Sequence, residues 1–82
     1  MLVTTILYFG IARDRAGMAR EEIELREGIT ANELWEELLG RHPELASCRG
    51  ISRMAADMEY VEDAEAIGHV REIAIIPPVA GG

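Results

Sequence analysis

Lysine is absent from this 82-residue chain, and all eight of its basic residues are arginine. Average usage would supply about five lysines. Compositional bias explains that without invoking function. A protein carrying an activated acyl group would also gain from it, because arginine stays protonated whereas an ε-amine attacks acyl donors. Cysteine is nearly as scarce. The single Cys48 excludes an internal disulfide and offers no metal-ligand spacing. Positive charge is in short supply too: 8 basic against 15 acidic residues give a net charge of -7. That balance argues against nucleic acid and anionic membranes, which select basic patches, and it suits a partner presenting a basic groove. No apolar run approaches membrane-spanning length, and no basic-then-apolar signal segment opens the chain, so a cytoplasmic location is expected. At this length one domain is expected, with modest stability and no room for a large internal substrate cavity.

What is present falls into short, well-marked elements. Leu2 to Phe9 is rich in β-branched and aromatic residues with apolar side chains on both faces, which predicts a central strand buried on both sides. Gly10 to Gly17 is expected to form a loop or short helix. Glu21 to Arg26 alternates, with Ile23 and Leu25 on one side and a solvated face formed by Glu21, Glu22 and Glu24. Thr30-Ala31-Asn32-Glu33 is a capping box, with Ile29 and Leu34 placed as its hydrophobic staple. The helix it starts carries Leu34, Trp35, Leu38 and Leu39 at helical spacing and is expected to end by Gly40 and Pro43.

Residues 44–52 are expected to be a loop anchored by Leu45. A short hairpin follows, with strand Met54 to Ala56, turn Asp57-Met58-Glu59 and return strand Tyr60-Val61. Glu62 to Gly68 is expected to be an acidic surface turn, and Val70 to Ile76 the strand that closes the sheet, Ile73 and Ile75 on one face and Ala74 and Ile76 on the other. This order predicts an α+β sheet covered by one helix. If the first and last strands lie side by side, the chain leaves the sheet from its middle.

The last six residues carry the most information. Pro77 and Pro78 donate no backbone hydrogen bond and hold extended φ, so they should stop the strand and launch a stiff spacer. Val79, Ala80, Gly81 and Gly82 then form a slim arm whose glycines permit close approach to another surface. Such an arm suits entry into a partner's narrow active site, carboxylate first. No nucleophile–base pair is visible elsewhere, so catalysis by this chain alone is not expected. His42 and His69 fall in expected loops without companion ligands, and no metal site is expected. Cys48 lies beside Arg49, a cation that could lower a thiol pKa, but a single unsupported cysteine is read as incidental.

These residues resemble the small, sulfur-carrying subunits of molybdopterin synthase, a ubiquitin-like β-grasp family, along the whole chain. The resemblance rests on Phe9, Arg13 and Gly17 after the first strand, on the capped helix from Gly28 to Leu34 with Leu38, and on the hairpin Ala56 to Val61. Its most specific part is Ala74-Ile75-Ile76-Pro77-Pro78-Val79-Ala80-Gly81-Gly82. The chain departs from the family pattern at Asp57-Met58 and at Gly68-His69-Val70-Arg71-Glu72, where an acidic turn is usual.

The resemblance implies a β-grasp domain over residues 1–76, a mixed sheet on one main helix, and an extended tail over 77–82. It implies that an adenylating enzyme, similar to ubiquitin-activating enzymes, uses ATP on the Gly82 carboxylate. Sulfur delivery then gives a Gly82 thiocarboxylate, and the tail inserts into the large catalytic subunit of the synthase in a two-plus-two heterotetramer. Phe9, Tyr60 and Ile76 match the family's apolar interface positions around the tail's exit. No cofactor is expected to be bound by the chain itself. Carriers for thiamin, cysteine or tRNA thiolation, a ubiquitin-like modifier joined through Gly82, and a plain interaction module remain alternatives.

Overall fold

The structure, a computed structural model, describes residues 2–78, and strand β1 (Leu2–Tyr8) sets its layering. Thr4, Ile6 and Tyr8 are buried, whereas Val3 is exposed and Thr5 and Leu7 are only half-buried. The expectation of burial on both faces is therefore corrected. All the helices pack on one side, and a chain this short has too few residues to cover both.

Helix α1 (Gly10–Ala16) follows directly and ends on Gly17, whose φ of 77° closes the last turn. Strand β2 (Arg20–Leu25) then returns antiparallel to β1, with Leu2 opposite Leu25 and Leu7 opposite Arg20. Ile23 and Leu25 enter the core.

Helix α2 (Ala31–Arg41) begins as its local chemistry dictates. The Glu33 amide donates to Thr30 Oγ1 at 3.2 Å, and the Thr30 amide donates to Glu33 Oε1 at 3.0 Å. The bond from Thr30 and the ion pair with Arg26 hold the Glu33 carboxyl below the usual carboxylate range. Thr30→Ala is expected to cost about 1 kcal/mol in urea denaturation at neutral pH. Because Glu33 has a lowered pKa in the folded state, the stability it supplies is complete above the ordinary carboxylate range and is lost as pH falls through the folded value. Ala31, Leu34, Trp35 and Leu38 form the buried stripe. The helix passes through Gly40 and stops at His42, one residue before Pro43.

The loop expected over residues 44–52 is helical as far as Arg49. Pro43–Leu45 is a 3₁₀ turn and Ala46–Arg49 is helix α3, so Leu45 and Cys48, three residues apart, both point inward and are fully buried. Strand β3 (Arg53–Ala56) pairs with β4 (Glu59–Tyr60) through Asp57 and Met58. Both turn residues have positive φ, 47° and 73°. Such a turn matches the twist of a two-residue hairpin.

The segment before the last strand is anchored rather than a free surface turn. The amides of Ala31 and Asn32 donate to the carbonyls of Glu65 and Asp63, and Ile67 is buried. Gly68 packs so closely that a Cβ there would lie 2.4 Å from the Arg26 carbonyl oxygen. Strand β5 (Glu72–Ile76) enters parallel to β1 and antiparallel to β3, giving the order β2-β1-β5-β3-β4. The last strand is therefore the middle of the sheet. The buried Thr4 hydroxyl donates to the Val70 carbonyl at 2.8 Å and fixes its entry.

Candidate functional site

Because β5 is flanked on both sides, Ile76 is held at the root of the segment that leaves the sheet. Pro77, the first residue after β5, is buried and Pro78 is exposed. Gly10, at the start of α1, has a φ of 52°, and a Cβ there would approach Pro77 Cγ to 3.3 Å. Glycine thus allows α1 to lie close beside the exit. Val79, Ala80, Gly81 and Gly82, the arm itself, lie outside the described residues.

Around that exit the surface is apolar. Phe9, Ile11, Ile51, Ile76, Pro77 and Pro78 line an open groove of about 690 Å³. A second hollow of about 320 Å³ shares Ile51, Ile76, Pro77 and Pro78 and adds Arg53 and Tyr60. The structure therefore brings Phe9, Tyr60 and Ile76 around one exit, with Phe9 47% and Tyr60 54% exposed. Neither aromatic is a core residue. Ile51, 58% exposed, belongs with them, as does Ile11, and sequence reasoning finds neither. A lone isoleucine between Gly50 and Ser52 carries no periodic signal. The Arg53 guanidinium stacks 3.8 Å from the centre of the Tyr60 ring, fixing the ring's place beside the exit.

A part-buried polar cluster gathers around Glu21. Tyr8 donates its hydroxyl hydrogen to Glu21 Oε2 at 2.7 Å, His42 Nε2 meets the same oxygen, and Arg41 approaches Glu21 Oε1 at 3.7 Å. Burial, then the Glu21 carboxylate, push the Tyr8 phenol far above its usual range, so it stays a neutral donor. Glu21 is thus not part of the solvated strand face. It fastens the end of β1 to the C-terminus of α2, away from the groove. Cys48 is fully buried, its thiol 3.5 Å from the Leu45 carbonyl. Among the described residues no group of His, Cys, Asp and Glu side chains could hold a metal ion. Nor is any helix there long and apolar enough to cross a membrane.

The described surface around Pro77 and Pro78 is thus largely apolar. The model of the ThiS family matches residues 6–82. The chain belongs to the ThiS family. Among its relatives is the molybdopterin synthase sulfur carrier subunit of Homo sapiens, 38% identical over 80 residues that cover 94% of this chain and 91% of that one. The protein of the same description from Chlamydomonas reinhardtii is 37% identical over 79 residues, covering 94% and 95%. A solved structure, the putative molybdopterin converting factor subunit 1 of Pyrococcus furiosus, superposes with a TM-score of 0.82 at 28% identity, over 96% of this chain and 100% of that one. A chain of the Helicobacter pylori complex of subunits 1 and 2 of molybdopterin-converting factor shares the fold, with a TM-score of 0.66 at 18% identity over 99% and 100%. Family membership and the sheet order together make the fold a ubiquitin-like β-grasp.

Proposed function

We propose that this chain is the sulfur carrier subunit of a molybdopterin synthase and that its chemistry takes place at the Gly82 carboxylate. The observation that carries this reading is the exit: the central strand delivers Pro77 and Pro78 between exposed apolar side chains. A globule so arranged grips a partner around the root of its arm. The sulfur carrier relatives supply the pathway.

In this scheme an adenylating enzyme joins the Gly82 carboxylate to AMP from ATP, releasing pyrophosphate. Sulfur at the sulfide level then attacks the acyl carbon, the C–O bond to AMP breaks and AMP leaves, giving a thiocarboxylate, a far better nucleophile toward carbon than the carboxylate. Docking on the large synthase subunit, in a two-plus-two assembly, brings that sulfur to the pterin precursor. Tethering supplies the effective concentration, and the large subunit supplies the catalytic residues. ATP is consumed by the activating enzyme, and both steps belong to the cytoplasm. Four residues beyond Pro78 reach at most about 14 Å, which limits how far from the docked exit the Gly82 carboxyl group can be carried.

Intact-mass analysis of protein isolated from its own cells tests the reading. One terminal oxygen replaced by sulfur is the expected result. Isopeptide-linked products without any thiocarboxylate would point to a protein modifier instead.

A further inference from the structure

The sheet register shows that the uncovered face is divided by charge. One row crosses all five strands as Arg20, Leu7, Ala74, Ala55 and Tyr60, since these residues lie opposite one another in successive pairings. The next row toward the exit holds Ile76 opposite Arg53. In the other direction the rows turn acidic, with Glu22, Thr5 and Glu72 in register and Glu24 opposite Val3. The exit end is thus an apolar centre flanked by cations, and the far end carries carboxylates.

The cations at the exit end are available for a partner. Arg13 and Arg20 border a hollow formed with Leu7 and Phe9 on one flank, and Arg53 lies over Tyr60 on the other. Among the described residues neither Arg13 nor Arg53 forms an ion pair. Arg20 has only Glu22 at 3.9 Å, with both side chains 63% exposed. An exposed pair at that distance contributes little. In a chain of net charge -7, this clustering of cations runs against the bulk balance.

We propose that the partner gripping the exit, the large synthase subunit of the reading above, meets this face with an apolar centre bordered by carboxylates set against Arg20 and Arg53. Net charge points to a basic partner surface, whereas the face that docks calls for an acidic rim. The acidic rows at the far end then repel a partner shifted along the sheet, so the charges set register as well as attraction.

The test uses the full chain and the purified large subunit from the same organism, with affinity measured by titration calorimetry at low and high salt. The double variant Arg20→Glu/Arg53→Glu is expected to bind roughly 30-fold or more weakly at low salt, with the deficit shrinking several-fold near 0.5 M salt. Arg20→Gln/Arg53→Gln should fall between it and the wild type, and unchanged circular dichroism shows that the fold is retained. Glu24→Arg, on the acidic end, should not weaken binding. Double-variant binding equal to or tighter than wild type would overturn the acidic rim while leaving the carrier reading intact. Failure of the wild type to bind at all would overturn both.

Discussion

Deleting Gly82 is expected to abolish sulfur transfer while leaving the melting temperature of the protein unchanged. The reason is geometric. Each extended residue advances the chain by about 3.5 Å, and bond formation requires reacting atoms held about 3–3.5 Å apart. Removing one residue withdraws the reacting sulfur by a full contact distance, and the anchored exit cannot follow, because Ile76 is fixed inside the sheet. A misplacement of 1 Å can cost on the order of 100-fold, so a loss of at least about 1,000-fold is expected. That corresponds to about 4 kcal/mol in the transition state. The measurement is single-turnover product formation by the synthase reconstituted with chemically thiocarboxylated carrier, which bypasses the activation step. Appending one alanine after Gly82 should be equally damaging, since it overshoots by the same length. A shortened carrier that transfers sulfur at the wild-type rate would defeat the mechanism. A loss of affinity for the large subunit in the same variant would instead show the arm to be a binding element.

Elements that depend on neighbours in sequence are legible in the amino-acid order alone. Thr30 and Glu33 cap α2 because both partners of each bond lie within one turn. Ile23 with Leu25, and Ile73 with Ile75, declare their faces by alternation. The parallel pairing of β1 with β5 is legible only as a condition, since strands separated by most of the chain leave no local trace of each other. Residues 44–52 read as a loop because Leu45 and Cys48 offer only two inward anchors among polar residues, too few to establish a helical period. In β1 apolar residues occupy both faces, but hydrophobicity does not say what covers them. Leu7 and Val3 stay on the uncovered side of the sheet.

The site divides in the same way. Family resemblance singles out Phe9, Tyr60 and Ile76, and the fold gathers them at one exit. Ile51 and Arg53 have no such signal, because their role comes from what lies beside them in space: the double proline for one and the Tyr60 ring for the other. Glu21 escapes sequence reasoning for a related reason. Its partners Tyr8 and His42 are 13 and 21 residues away, and the adjacent glutamates make it look like one more surface acid. Net charge is equally silent about distribution, because it sums over every face of the chain. Fifteen acidic residues set the total, yet Arg13, Arg20 and Arg53 line the two hollows beside the exit.

The globule's own stability turns on Trp35, and Trp35→Ala is expected to be the most damaging change in the core. The ring is 2% exposed on α2, with the Arg49 guanidinium 4.4 Å from its centre. Arg49 in turn lies 3.3 Å from Asp63 Oδ2, so the ring and this ion pair tie α2 and α3 to the segment leading into β5. Truncating a buried tryptophan costs about 3–5 kcal/mol through lost burial and the cavity left behind. A domain of this size has about 4–12 kcal/mol in total, and each kcal/mol shifts its melting temperature by about 4–8 °C. A fall of about 15–30 °C is therefore expected by circular dichroism, with Trp35→Phe losing much less. At low temperature, where the variant is still folded, affinity for the large subunit should be unchanged, because Trp35 lies on the covered side of the sheet and takes no part in the exit groove. A loss of binding by folded Trp35→Ala would show that the helical layer shapes the docking face. A fall of less than about 5 °C would mean that the cavity closes by local collapse and that Trp35 does not hold the layers together.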